Sequence, residues 1–151
     1  MFQARQAMFL PSFLIRIVVD KATESYIKMS QCEADEGLAA GYFVEAAMSM
    51  KKVNTSEAVK LMERAVECYC STGGIHMAAK YCKQIAEWYE DDFEYELAIK
   101  YYLKAADLEG METADTFGYQ CMLKAADLMV LSKEERFVEA IQVSGEFGNL
   151  R

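Results

Sequence analysis

The sequence predicts an all-α fold, a solenoid of stacked helical hairpins, on three observations. The first is internal repetition. Ala39-Ala40-x-Tyr42 recurs as Ala78-Ala79-x-Tyr81 at an offset of 39, and Ala58-Val59-Lys60 with Arg64-Ala65 recurs as Ala98-Ile99-Lys100 with Lys104-Ala105 at an offset of 40. A third copy sets Ala126 against Ala86 and Ala140-Ile141 against Ala98-Ile99, at offsets of 40 and 42. Helical patterning with a period near 40 residues is what stacked hairpins produce. The second observation is the stripe Ala78, Cys82, Ile85, Ala86 and Tyr89, spaced i, i+4, i+7, i+8 and i+11 as one face of a 3.6-residue helix. Alanine at the repeated positions lets helix axes approach closely, and Tyr42, Phe43, Tyr81, Trp88, Tyr89, Tyr101 and Tyr102 fill the wider gaps as core. The third is a single proline in 151 residues, which leaves helices uninterrupted and connections short.

Taken in order, the chain opens on Met8 to Val19, an apolar run of twelve residues that Pro11 and Arg16 interrupt. A membrane-spanning helix needs about twenty apolar residues, so this run does not span. No small-residue cleavage site follows before Asp20, as a signal peptide would require. Residues 1–19 therefore read as an apolar segment outside the repeat, either a helix closing one end of the solenoid or a membrane-surface contact. Residues 20–149 read as the repeat domain. Within it a helix is expected over Asp20 to Gln31, then an acidic break over Cys32 to Gly37, then a helix over Ala39 to Lys52. Asn54-Thr55-Ser56 offers N-cap chemistry for a helix from Glu57 to Cys70, and Gly73-Gly74 supplies the following C-cap and turn. Helices from Ile75 to Glu90 and from Tyr95 to Glu109 follow, the second ended by Gly110. Thr113 to Leu131 and Glu134 to Ser144 are expected to form the last hairpin, ended by Gly145 and Gly148.

Composition narrows the function. A net charge of −8 and a pI near 4.7 disfavour nucleic acid as a partner, because phosphate neutralisation needs a basic surface. Five cysteines in no disulfide framework point to a reducing, cytosolic compartment. His76 is the only histidine, so no histidine-based triad or multi-histidine metal site is available. Cys68, Cys70, His76 and Cys82 lie close in sequence, but Cys68 and Cys70 point about 200° apart on a helix of 3.6 residues per turn. Cys82 sits on the predicted buried stripe, where a cysteine reads as a small hydrophobe, so no zinc site is expected. The glycines form no phosphate-cradling motif, so neither an enzyme nor a cofactor is indicated.

The residues that remain carry a resemblance. Phe43-Val44-Glu45-Ala46, Lys51-Lys52, Glu57-Ala58-Val59 with Arg64-Ala65-Val66-Glu67, and Ala78-Ala79-Lys80 with Ile85-Ala86-Glu87 together resemble the soluble NSF attachment proteins. Cys121-Met122-Leu123-Lys124 and Ala140-Ile141 continue the match, which covers roughly residues 34–149 and is nearer the alpha than the gamma type. The resemblance implies a right-handed α-solenoid of tetratricopeptide-like hairpins. It implies an adaptor that lays a basic face along the SNARE four-helix bundle and presents it to the NSF ATPase. On that reading Lys51 and Lys80 keep the basic contact positions, facing one solvent-open surface, and Lys52 and Lys124 are matching basic neighbours. Gly74 and Gln120 stand where the alpha type carries Arg and Lys. Phe9, Leu10, Phe13 and Leu14 are candidates for the membrane contact that the family makes through an N-terminal hydrophobic loop, giving a cytoplasmic, peripherally associated protein.

In the family that the chain resembles, members run to nearly twice this length and end in a helical bundle with a leucine-bearing tail that stimulates NSF. If residues 1–151 are the whole protein, weak SNARE engagement and no support of disassembly are expected, with apolar residues such as Val138, Ile141 and Phe147 left partly uncovered. The alternative reading is a helical-repeat scaffold, gamma-like or repurposed, that binds another helical partner.

Overall fold

In the computed structural model, residues 11–110 and 116–148 are described, with side-chain surroundings for 11–134 (111–115 excepted) and 138. The described residues form six helices and no strand: α1 (Ser12–Cys32), α2 (Glu36–Lys51), α3 (Thr55–Ser71), α4 (Ile75–Asp91), α5 (Tyr95–Glu109) and α6 (Thr116–Gly148). The all-α expectation holds. The chain divides into two compact units, Met1–Ala78 and Ala79–Arg151, the division falling one turn into α4.

α1 starts earlier than its sequence suggests, and Pro11 is the reason. It occupies the position before the first helical residue, where a missing N–H costs nothing, and its carbonyl accepts from Leu14 N (2.9 Å) and Ile15 N (3.2 Å). The proline opens the helix instead of interrupting it. Residues 12–18 are exposed, and burial begins only at Val19 and continues at Thr23 and Ser30, where α1 packs on α2. Asp35 starts α2 through its carboxylate, which accepts from Gly37 N (2.8 Å) and Leu38 N (3.4 Å).

α2 buries Ala39, Ala40, Phe43, Val44, Ala46, Ala47 and Met50, more than one stripe of a helix. It needs two apolar faces because it packs against both α1 and α3. α3 is one-sided, burying Ala58, Val59, Met62, Ala65 and Val66, and a three-residue turn returns it against α2. Alanines that are completely buried at 46, 47, 58 and 65 bring the two backbones close, and Met62, also fully buried, fills the space that they leave. Asn54 caps α3 as its sequence implies, accepting from Glu57 N at 3.3 Å.

In the second unit α4 contributes Cys82, Ile85, Ala86 and Trp88 to the core, α5 contributes Ala98, Tyr101, Tyr102 and Ala105, and α6 contributes Cys121, Ala125 and Leu128. Two turns share one geometry. Gly73, with φ +77°, donates to Cys70 O (3.3 Å) and Gly74 to Tyr69 O (2.8 Å). Phe93, with φ +60°, donates to Glu90 O (3.0 Å) and Glu94 to Tyr89 O (2.9 Å). The left-handed residue closes each helix end, but only the first turn uses the glycine that such a backbone favours.

Two expectations need correction. The last hairpin is absent: α6 runs as one helix of 33 residues through Leu131-Ser132-Lys133-Glu134. Nothing in that stretch breaks a helix, since it holds neither Gly nor Pro and a serine alone costs little. The third repeat copy is also shifted. Ala126 is exposed, whereas Ala125 is 1% exposed and Cys121 fully buried, so Cys82 and Ala86 find their equivalents at an offset of 39. Val138 is 53% exposed, as expected; Ala140, Ile141 and Phe147 lie outside the residues whose side chains are described.

Candidate functional site

The basic residues singled out by sequence fall in both units, Lys51 and Lys52 in the first and Lys80 and Lys124 in the second. Lys51 is the last residue of α2 and half-buried, and its Nζ donates to Thr55 Oγ1 at 3.0 Å, across the turn into α3. The i, i+4 spacing that permits this bond is visible in sequence, and it ties the ammonium to a fixed place beside the turn. Lys52 follows at the C-cap and is exposed. A cation at a helix C-terminus is favoured by the partial negative charge of the last carbonyls. Gly74, at the turn before α4, is confined: a Cβ there would stand 3.3 Å from Tyr69 Cδ1 and 3.4 Å from Tyr69 O.

Lys80 is exposed on the second turn of α4, its Nζ 5.9 Å from the centre of the Tyr81 ring. Four further basic residues that sequence reasoning passed over also lie over aromatic faces. Arg64 sits 5.5 Å from the Phe43 ring centre, Lys83 5.3 Å from Phe117, and Lys100 and Lys104 flank Tyr101 at 5.7 and 6.0 Å. Tyr101 stacks in turn on Tyr89, with ring centres 5.7 Å apart. The attraction of a ring face for a cation is modest at an exposed site, but it orients long side chains that would otherwise wander.

Lys124 is placed differently. Its Nζ donates to Glu90 Oε1 at 3.0 Å, while Glu90 Oε2 accepts from Tyr102 Oη at 2.7 Å. One carboxylate thus joins α4, α5 and α6. Lys83, Glu87 and Glu90 lie at i, i+4 and i+7 on α4, and Phe117, Cys121 and Lys124 hold the same spacing on α6. Lys83 meets Phe117 at one end of this seam and Glu90 meets Lys124 at the other. Lys83 also reaches Glu87 at 3.9 Å, and Gln84 donates to Glu87 Oε2 at 3.2 Å.

The titration of these groups follows from the contacts. Burial alone would raise the Glu90 carboxyl, but the hydrogen bonds from Tyr102 and Lys124 and the Lys124 charge outweigh it and hold Glu90 below its ordinary value. Tyr102 is pushed well up by burial, by its bond to Glu90 and by the charges of Glu90 and Glu87. Burial also raises the Cys121 thiol, and desolvation with the nearby Glu36 carboxylate raises Cys68. Cys121 is fully buried and packs in the core, whereas Cys68 is only half-buried. Among the described residues no group of three or more His, Cys, Asp or Glu is placed to hold a metal ion.

Of the membrane-contact candidates, Phe13 is 63% and Leu14 37% exposed on the first turn of α1, and Phe9 and Leu10 lie outside the described residues. Ile15, Ile17 and Val18 extend the exposed apolar surface of that helix. No helix among the described residues is long and apolar enough to cross a membrane.

Comparison with known proteins places this arrangement. The family model described as "Soluble NSF attachment protein, SNAP" matches residues 11–149, taking in α1 from its first residue. An alpha-soluble NSF attachment protein of Vitis vinifera is 35% identical over 132 residues, 85% of this chain and 45% of that protein. The human protein of the same name is 34% identical over 111 residues, 73% of this chain and 37% of the relative. A probable vesicular-fusion protein sec17 homolog of Schizosaccharomyces pombe is 29% identical over 116 residues, 76% of this chain and 39% of the relative. The chain thus spans less than half the length of these relatives. No solved structure matches it significantly. A family match over nearly the whole chain, on an all-α scaffold whose repeats carry the family's residues, means that this chain belongs to the soluble NSF attachment protein family.

Proposed function

We propose that the chain is an adaptor segment for vesicle fusion that binds the SNARE four-helix bundle through Lys51, Lys52, Lys80 and Lys124 and links it to an NSF-type ATPase. The observation that carries this reading is the family match across residues 11–149, which includes every one of those lysines. Physical support comes from their placement. On a chain of net charge −8, they stand at the surface or beside a turn, and Lys51 and Lys80 are held in place by Thr55 and Tyr81. Cationic side chains at a protein surface steer an acidic partner toward it and disfavour basic ones.

Reversal of Lys51 and Lys80 to Glu should weaken binding of an assembled SNARE bundle by roughly 5- to 30-fold, taking each surface contact, half-buried Lys51 and exposed Lys80, at under about 1 kcal/mol and reversal as more than loss. The helical circular-dichroism signal should not change. Unaltered affinity in the double variant excludes this surface. The chain acts peripherally at the cytoplasmic face of membranes, with Phe13 and Leu14 as the inserting side chains. Their exposure at the start of α1 supports this, because burying apolar side chains in the lipid interface offsets the loss of free motion. Flotation with anionic phospholipid vesicles tests it. Equal recovery of the wild type and of Phe13→Ser with Leu14→Ser removes the membrane role.

A further inference from the structure

We infer that Glu90 holds Lys124 in reserve: the carboxylate is a resident competitor for this lysine of the proposed contact set, whose charge the ion pair within the chain offsets. The inference deepens the SNARE-binding reading above and rests on it for the identity of the partner. Lys124 and Glu90 meet at 3.0 Å with side chains 53% and 28% exposed, which is close enough to cancel charge and open enough to exchange.

The two halves of the pair are not equally free to leave. Glu90 is clamped through its second oxygen by Tyr102, whose ring is 1% exposed and whose hydroxyl donates at 2.7 Å. A hydroxyl so buried needs its acceptor, so Glu90 stays. Lys124 ends a four-carbon stem on an exposed face of α6 and is the member that swings away. A partner carboxylate approaching Lys124 meets Glu90 as well, and the repulsion between the two carboxylates offsets most of the attraction to the ammonium. Among the described residues Lys80 forms no ion pair: its Nζ lies over a ring, and a ring leaves the positive charge intact. The proposed contact set therefore contains lysines of unequal strength, and Lys124 engages only when a partner's acidic group draws it away from Glu90.

The test uses the full chain with Glu90→Gln, which keeps an oxygen acceptor for Tyr102 and removes only the charge. Affinity for an assembled SNARE bundle, measured by titration at physiological salt, should rise about 2- to 5-fold. The same substitution in a Lys124→Gln background should change nothing. Equal strengthening in both backgrounds would mean a general charge effect and overturns the inference, as does no change or a weakening.

A second readout needs no partner. Acylation of Lys124 by a soluble amine-reactive ester, mapped by mass spectrometry with exposed Lys100 as the internal standard, should be faster in Glu90→Gln than in the wild type. An unchanged relative rate overturns the inference by itself. Faster labelling in a chain that binds no bundle upholds the hold of Glu90 on Lys124 and removes the SNARE-binding reading.

Discussion

Replacing Tyr102 by Phe removes one oxygen from the place where α4, α5 and α6 of the second unit meet. The ring keeps its space, so the change isolates the 2.7 Å bond to Glu90 Oε2. A hydrogen bond to a charged group contributes about 1.5–3 kcal/mol. The Glu90 side chain is 28% exposed and keeps Lys124, so water and the lysine satisfy part of the loss. The expected destabilisation is therefore about 1–2 kcal/mol, or a fall in Tm of about 2–8 °C for a chain of this size. Thermal unfolding followed by circular dichroism at 222 nm reads it. The same substitution should cost less in a Glu90→Ala background, where no acceptor remains.

Alkali supplies an independent check. The Tyr102 pKa is raised on folding, so its contribution is fully present below the unfolded value of about 10 and is lost as pH rises above it. The slope is at most about 1.4 kcal/mol per pH unit for one proton. Wild type should lose stability above that pH more steeply than Tyr102→Phe. Glu90 has the opposite sign: its depressed pKa stabilises above the unfolded carboxyl value, and that stability fades as pH falls through the folded one. A Tyr102→Phe chain as stable as wild type at neutral pH, with an unchanged alkaline slope, refutes the clasp.

Two further substitutions probe local structure. Phe93→Gly should stabilise by about 0.5–1 kcal/mol, because φ +60° strains an L side chain and the ring, 77% exposed, buries little in return; urea titration with a lower midpoint than wild type would contradict this. Thr23→Val should stabilise by about 1 kcal/mol, because Thr23 Oγ1 is buried and finds no partner among the described residues; a fall in Tm would show that the hydroxyl has a partner.

Helix ends were legible in sequence wherever the chemistry is local. Asn54, Gly73 and Gly110 each act within a few residues, and each stands where the sequence puts it. Phe93 was not legible, because no propensity assigns a left-handed backbone to phenylalanine, and only the repeat of the Gly73 turn fixes it there. Pro11 and the stretch 131–134 misled in opposite ways. One is a helix breaker standing where nothing needs breaking, and the other is a polar run that an ordinary helix absorbs. The Lys51 to Thr55 bond lies within four residues and could have been foreseen from spacing. The pairing of Lys124 with Glu90 could not, since it joins residues 34 apart through the packing of α4 on α6. A basic residue therefore reads from sequence as a contact, and only its neighbours in space show whether its charge is already engaged.

The central claim is that an assembled four-helix SNARE bundle is the partner. It is tested most directly by titrating the chain against that bundle and, separately, against its isolated helices. The account predicts saturable binding to the assembled bundle, much weaker binding to any single helix, and a loss of affinity as the screening length falls from ~8 Å at physiological salt to ~3 Å at 1 M. Equal binding to bundle and separate helices, or an affinity for the bundle that 1 M salt leaves unchanged, would contradict it.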